Sequence, residues 1–108
     1  MKYSPVYYSN LKKRYPTVAA SFDKLAESCA GAGPLDSKTQ HLVKLGVAIG
    51  LGSEGDVQNL AAQALKAGVS PEALRHAVLL SVTTAGFPAM IVAMQWLEEV
   101  ISEKAKKK

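Results

Sequence analysis

The stretch Leu42–Leu51 is apolar on nearly every side of a helix, and Lys44 is its only charged residue. A helix without a polar face has to be buried on several sides. Gly46 and Gly50 lie four residues apart and remove side chains from one stripe, so that another backbone can approach closely. Because a chain of 108 residues has few other helices to enclose this segment, we expect part of its surface to contact another subunit.

The rest of the chain also follows a helical period, and no stretch alternates apolar and polar residues over a useful length. Prolines and capping residues mark five helix starts: Pro16, Asp36, Ser53, Ser70 and Pro88. In the helix after Ser70, the core stripe is widened by Leu79 and Leu80. The sequence predicts one all-α domain over residues 1–108, with five or six helices, in which the helices within residues 5–32 serve packing or an interface.

The composition argues against nucleic acid and membranes as partners. The net charge of +4 comes from the lysines of the last five residues, since residues 1–103 hold nine basic and nine acidic side chains. That tail suits the negative end of a helix dipole, and no aromatic-rich basic patch or recognition helix accompanies it. No run of about 18 apolar residues indicates a membrane span. We expect no nucleic-acid partner and no membrane association.

Cys29 is the single cysteine of the chain. It cannot form an intramolecular disulfide, which fits a reducing compartment, and the first residues lead into no apolar signal segment. The expected location is the cytoplasm. Two histidines without partner cysteines give no metal-ligand spacing, and no glycine-rich loop joins a strand to a helix. The sequence therefore predicts neither a metal site nor a cofactor.

Three short segments occur in an order and spacing that resembles the carboxymuconolactone decarboxylase and alkyl hydroperoxidase D-like family. They are Lys38-Thr39-x-x-Leu42, Ala67-Gly68-Val69-Ser70-Pro71-Glu72 and Gly86-Phe87-Pro88-Ala89. The resemblance implies an alkyl hydroperoxidase D-like helical bundle with residues 36–102 as its core. It also implies a homo-oligomer, either a trimer or a hexamer made of two trimers.

The peroxidase branch of that family carries a Glu, a Cys-x-x-Cys pair and a His, and the resemblance places His41, Ser53, Asp56 and Leu60 at those positions. Thiol–disulfide exchange needs two thiols, one of them as the thiolate. Ser53 and Asp56 supply neither, so we expect no thiol peroxidase activity. The decarboxylase branch carries a His where this chain has Leu60, which cannot ionise or donate a hydrogen bond.

His41, Ser53 and Asp56 are the residue types of a base, a nucleophile and an orienting group, so they are the candidate catalytic residues. Leu60, Thr84 and Phe87 are the candidate pocket residues. Helix capping alone also explains Ser53 and Asp56.

Three functions stay open from the sequence. The first is binding of a small-molecule ligand, or a non-redox reaction, at this remnant of the family site. The second is a non-catalytic oligomeric interaction module. The third is a lyase that decarboxylates a lactone-type substrate. Whether the chain is an enzyme is left open.

Overall fold

A computed structural model of the protein describes residues 5–106, and every regular element in that range is a helix. The helices are α1 (Pro5–Arg14), α2 (Pro16–Ala30), α3 (Ser37–Leu51), α4 (Glu54–Lys66), α5 (Pro71–Leu80), α6 (Val82–Ala85) and α7 (Phe87–Lys106). Because α6 is a single turn directly after α5, six longer helices define the fold. The all-α prediction is confirmed. Within residues 5–106, no helix combines the length and the apolar character that a membrane crossing needs.

Three helices begin at the side-chain caps that the sequence predicts. In each cap a side-chain oxygen accepts a hydrogen bond from the backbone N–H three residues later. The pairs are Asp36 with Thr39 at 2.8 Å, Ser53 with Asp56 at 3.3 Å, and Ser70 with Ala73 at 3.1 Å. The bonds from Thr39 also lower the pKa of the Asp36 carboxyl below its ordinary value. Local sequence signals therefore fix where α3, α4 and α5 start.

Two of these helices end at glycines with positive φ angles. Gly52, with φ of 70°, follows α3, and Gly68, with φ of 95°, follows α4. After α4, the Gly68 N–H donates to the Leu65 carbonyl and the Val69 N–H donates to the Ala64 carbonyl. This pair of bonds satisfies carbonyls that the end of the helix leaves free. Val69 is buried beside them and anchors the turn to the core.

The hydrophobic core lies among α3, α4, α5 and α7. Its largest fully buried side chains are Leu45, Ile49, Leu74, Leu97, Val57 and Val78. Together with the smaller buried residues of α4 and α7, they follow a helical spacing on each helix, so each helix turns one face inward. Leu79 and Leu80, predicted to widen the core stripe of α5, are instead exposed. The inward face of α5 is therefore narrower than its apolar content suggests.

The first two helices form a separate hairpin. α1 packs along α2, and the Tyr8 hydroxyl donates a hydrogen bond of 2.9 Å to the Asp23 carboxylate. Within α2 only Ala19 is buried. The hairpin thus presents most of its apolar side chains to the surface of the chain.

Candidate functional site

Ser53 joins α3 to α4 through three hydrogen bonds. Its N–H donates to the Ala48 carbonyl at 3.4 Å, and its own carbonyl accepts from the Val57 N–H at 2.9 Å. Its hydroxyl oxygen accepts from the Asp56 N–H at 3.3 Å. The serine therefore closes the end of one helix and caps the start of the next, while its hydroxyl proton remains available to an acceptor.

Asp56 lies in the first turn of α4 together with Glu54, where a carboxylate is favoured by the positive end of the helix dipole. Its side chain is exposed. Ser53 and Asp56 are brought together by the cap, but within residues 5–106 no hydrogen bond joins either side chain to His41. In one chain, the three candidate catalytic residues do not form a hydrogen-bonded triad.

His41 lies in α3 one turn before Leu45, on the helix face that enters the core. The residue is partly buried. Its Nδ1 atom is closed off from solvent and has no hydrogen-bond partner in the described part of the chain. A buried polar atom left without a partner costs about 1–3 kcal/mol, and buried side-chain groups of this kind are uncommon in folded proteins. His41 is thus the polar side chain whose surroundings are hardest to explain by packing alone.

The three predicted pocket residues lie in different surroundings. Leu60 is half-buried and packs against the hydrophobic core. Thr84 is exposed in α6, and Phe87 begins α7 with 62% of its surface exposed. Packing against the core is therefore enough to explain Leu60 without a role in ligand binding. Thr84 and Phe87 stay candidates for contacts with a ligand or a partner.

A broad groove between α4 and α7, with a volume of about 1110 Å³, was missed by the sequence reasoning. It is lined by Glu54, Gln58, Ala62, Lys66, Glu99, Val100, Glu103 and Lys104. The Gln58 side-chain amide donates to Glu99 Oε1 at 2.9 Å and to the Trp96 carbonyl at 3.4 Å, which ties the two walls together. The α4 residues of this lining are four positions apart in the sequence, which predicts that they share one side of the helix and could form one wall of a groove. Nothing in the sequence identified the opposite wall.

Among residues 5–106, no group of three or more His, Cys, Asp or Glu side chains is placed to hold a metal ion. Cys29 is a free thiol exposed on α2. It lines a hollow of about 190 Å³ with residues of the following loop and of α3, away from the junction of α3 and α4 that holds Ser53.

The comparisons with known proteins agree with this fold. The profile of the carboxymuconolactone decarboxylase family matches residues 16–99, which include α2 to α6 and most of α7. The crystal structure of an apo carboxymuconolactone decarboxylase family protein from Legionella pneumophila matches with a TM-score of 0.80 and 23% sequence identity. The match covers 90% of this chain and 87% of that one. No curated protein matches the sequence. With the family profile matching most of its length, the chain belongs to the carboxymuconolactone decarboxylase family.

Proposed function

We propose that this family member carries out no thiol peroxidase chemistry and instead binds a small molecule at His41. The chain has one cysteine, and a redox disulfide within one chain needs two. The hydrogen bonds of Ser53 already connect the end of α3 to the start of α4. The observation that carries the proposal is the buried Nδ1 atom of His41, which has no hydrogen-bond partner among residues 5–106.

The surroundings of His41 select one form of its ring. A neutral imidazole carries a proton on one nitrogen and accepts at the other. A buried N–H without an acceptor is rarer in proteins than a buried acceptor without a donor, so the favoured tautomer leaves the enclosed Nδ1 unprotonated and places the proton on Nε2. His41 then offers an N–H donor, and the matching ligand carries an oxygen acceptor, as a carboxylate or a lactone carbonyl does.

A non-redox reaction at this position would use His41 as the donor that polarises such a carbonyl. Ser53 is a weaker candidate for the nucleophile because no base in the described part of the chain is hydrogen-bonded to its hydroxyl, and a serine hydroxyl without a base is unreactive. Decarboxylation of a lactone-type substrate is a second candidate function. Such a reaction would have to proceed without an ionisable side chain at position 60, because Leu60 occupies it.

A non-catalytic interaction module is the remaining candidate. The observation in its favour is the amount of apolar surface on α2 and α3 that one chain leaves exposed. Under this alternative, Ser53 and Asp56 act only as helix caps and His41 meets no ligand. The proposed location is the cytoplasm, because the free thiol of Cys29 fits a reducing compartment.

The first test measures the His41 ring by nitrogen-15 NMR, with His76 as the internal control because it is exposed on α5. We expect the Nε2–H tautomer for the neutral ring, and a shift of the His41 signals when small carboxylates or lactones are added. His41→Ala should abolish the binding, whereas His76→Ala should retain it. If neither ring responds to any such compound, the interaction module is the better description.

The second test is a peroxidase assay with hydrogen peroxide or an organic hydroperoxide and a dithiol reductant. The wild-type chain and the Cys29→Ser variant should give the same background rate. Turnover that depends on Cys29 would contradict the loss of thiol chemistry.

A further inference from the structure

An apolar hollow lies where the ends of α4 and α7 meet the start of α5. The α4 helix ends at Lys66 and the chain turns at Gly68, whereas α7 continues to Lys106. The hollow has a volume of about 390 Å³, which is within the range of pockets that hold small molecules. Its lining is mostly apolar and includes Leu65, Val69, Pro71 and Ile101.

Two lysines lie where this hollow meets the groove between α4 and α7. Lys104 of α7 lines both the hollow and the groove. Lys66 of α4 directly follows Leu65 of the hollow and lines the same groove. The opening from the hollow to the groove therefore has an ammonium group on each of the two helices. We call Lys66 and Lys104 the lysine pair.

The lysine pair has no acidic partner in the described part of the chain, because every ion pair within residues 5–106 involves Arg75. Three carboxylates line the groove as well. Glu54 lies twelve residues before Lys66, about 18 Å along the helix, and Glu99 accepts a hydrogen bond from Gln58. Glu103 is the remaining one. The charge beside the hollow is therefore positive and is not neutralised by the chain itself.

We propose that the hollow and the lysine pair bind a small amphiphilic carboxylate, such as a medium-chain fatty acid. The alkyl chain would fill the hollow, where each methylene that leaves water adds to the affinity. The carboxylate would accept hydrogen bonds from the lysine ammonium groups, and charge strengthens such bonds. His41 lines neither the hollow nor the groove, so this site does not depend on the function proposed there.

Backbone amide shifts of the full chain test where such a ligand binds. The probe is octanoate. Octylammonium has the same alkyl chain with the opposite charge, and acetate has the carboxylate without the chain. We expect octanoate to shift the amides of residues 65–70 and 101–105, and both control compounds to bind at least about tenfold more weakly. Shifts at His41 report the other site separately, and His41→Ala should leave the response of the hollow unchanged.

Charge variants test the lysine pair. Lys66→Gln and Lys104→Gln should each weaken octanoate binding by about two- to fivefold, as expected for loss of an exposed ion pair. Glu103→Gln should strengthen the binding, because it removes a carboxylate that repels the ligand. Lys106→Gln is the matched control, since Lys106 is exposed on α7 and lines neither the hollow nor the groove. All four side chains are exposed or partly exposed, so the variants should keep the fold.

A bulky side chain tests the hollow itself. Ala105 lines the hollow and is exposed, so Ala105→Trp should occupy the space of the alkyl chain and weaken octanoate binding by about tenfold.

Three results would overturn the proposal. The first is that the amides of the hollow do not shift at about 10 mM octanoate, a concentration that fills even a millimolar site. Contact with another protein chain would then be the better account of the hollow. The second is an equal response to octylammonium, because the lysine pair would then select no charge. The third is wild-type affinity in the Lys66→Gln and Lys104→Gln double variant.

Discussion

Arg75 on α5 holds the carboxylate of Glu98 on α7 with two parallel hydrogen bonds. The Nε atom donates to Oε2 at 2.7 Å, and Nη2 donates to Oε1 at 3.0 Å. The same guanidinium also pairs with Glu72, one turn earlier on α5, at 2.5 Å. A two-point contact of this kind favours one distance and one orientation, so it supports the packing of α5 across α7 at the surface.

This contact makes the stability of the fold depend on pH. The Arg75 guanidinium lowers the pKa of the Glu98 carboxyl below its ordinary value. A carboxyl whose pKa is lowered by folding stabilises the protein above the unfolded pKa of about 4.3, and the contribution is lost as the pH falls below it. The Arg75 and Glu98 side chains are 36% and 44% exposed, so about 1 kcal/mol or less is expected.

Urea unfolding at pH 7 and pH 3 measures that contribution. Glu98→Gln should lower the free energy of unfolding at pH 7. Between pH 7 and pH 3, the free energy of unfolding should fall less in this variant than in the wild type. Glu103→Gln, further along the exposed side of α7, is the matched control. An unchanged pH dependence in Glu98→Gln would mean that the contact contributes nothing measurable in solution.

Replacing Ser53 should destabilise the junction of α3 and α4. Ser53→Ala removes the oxygen that accepts from the Asp56 N–H, and loss of such a cap typically costs about 1 kcal/mol. Ser53→Asp should keep most of the stability because a carboxylate also caps well. The measurement is the urea midpoint, with Ser102→Ala on the exposed side of α7 as the control. Equal midpoints for Ser53→Ala and Ser102→Ala would contradict the capping role.

Gly68→Ala should destabilise the turn between α4 and α5. The glycine has a φ of 95°, a region in which a residue with a Cβ atom loses about 1–2 kcal/mol. The added methyl group would itself find ordinary contact, since the nearest atom is Lys38 Cε at 3.5 Å. Gly33→Ala, where φ is not positive and no atom lies within 4 Å, should be nearly neutral. Comparable thermal midpoints for both variants would contradict the strain argument.

Gly46→Ala distinguishes a free helix surface from an interface by the sign of its effect. In an isolated chain, alanine should raise the free energy of unfolding by about 0.5–1 kcal/mol, because it is the better helix residue. If α3 contacts another subunit, as its apolar sequence predicts, the methyl group lies in that contact and should weaken association. Val47 is 60% exposed on the same helix, so Val47→Asp should remove the contact, and Gly46→Ala should become stabilising in the double variant. The measurement is thermal unfolding of the single and double variants.

The helices could be predicted because their signals are local. Asp36, Ser53 and Ser70 each need only the next three residues to act as a cap, so the sequence contains the whole interaction. Leu79 and Leu80 show the limit of this reasoning. The α5 helix is apolar on more than one side, and its period alone does not tell which side meets α7.

The candidate site was harder to predict because its contacts join residues that are far apart in the sequence. The enclosure of His41 Nδ1 appears only in the folded chain, and no spacing within α3 predicts it. The groove between α4 and α7 depends on Gln58 reaching Glu99, 41 residues further along the chain. The role of Ser53 as a cap was visible in the sequence, whereas its bond to the Ala48 carbonyl appears only in the fold.

The joint at Ser53 also limits how this chain could change in evolution. The same residue ends α3 and starts α4, and cysteine is a poor substitute for serine as a helix cap. A first substitution toward thiol chemistry at this position would therefore weaken the junction before a second thiol could provide any activity. Selection for stability would remove such an intermediate, so the serine would be retained.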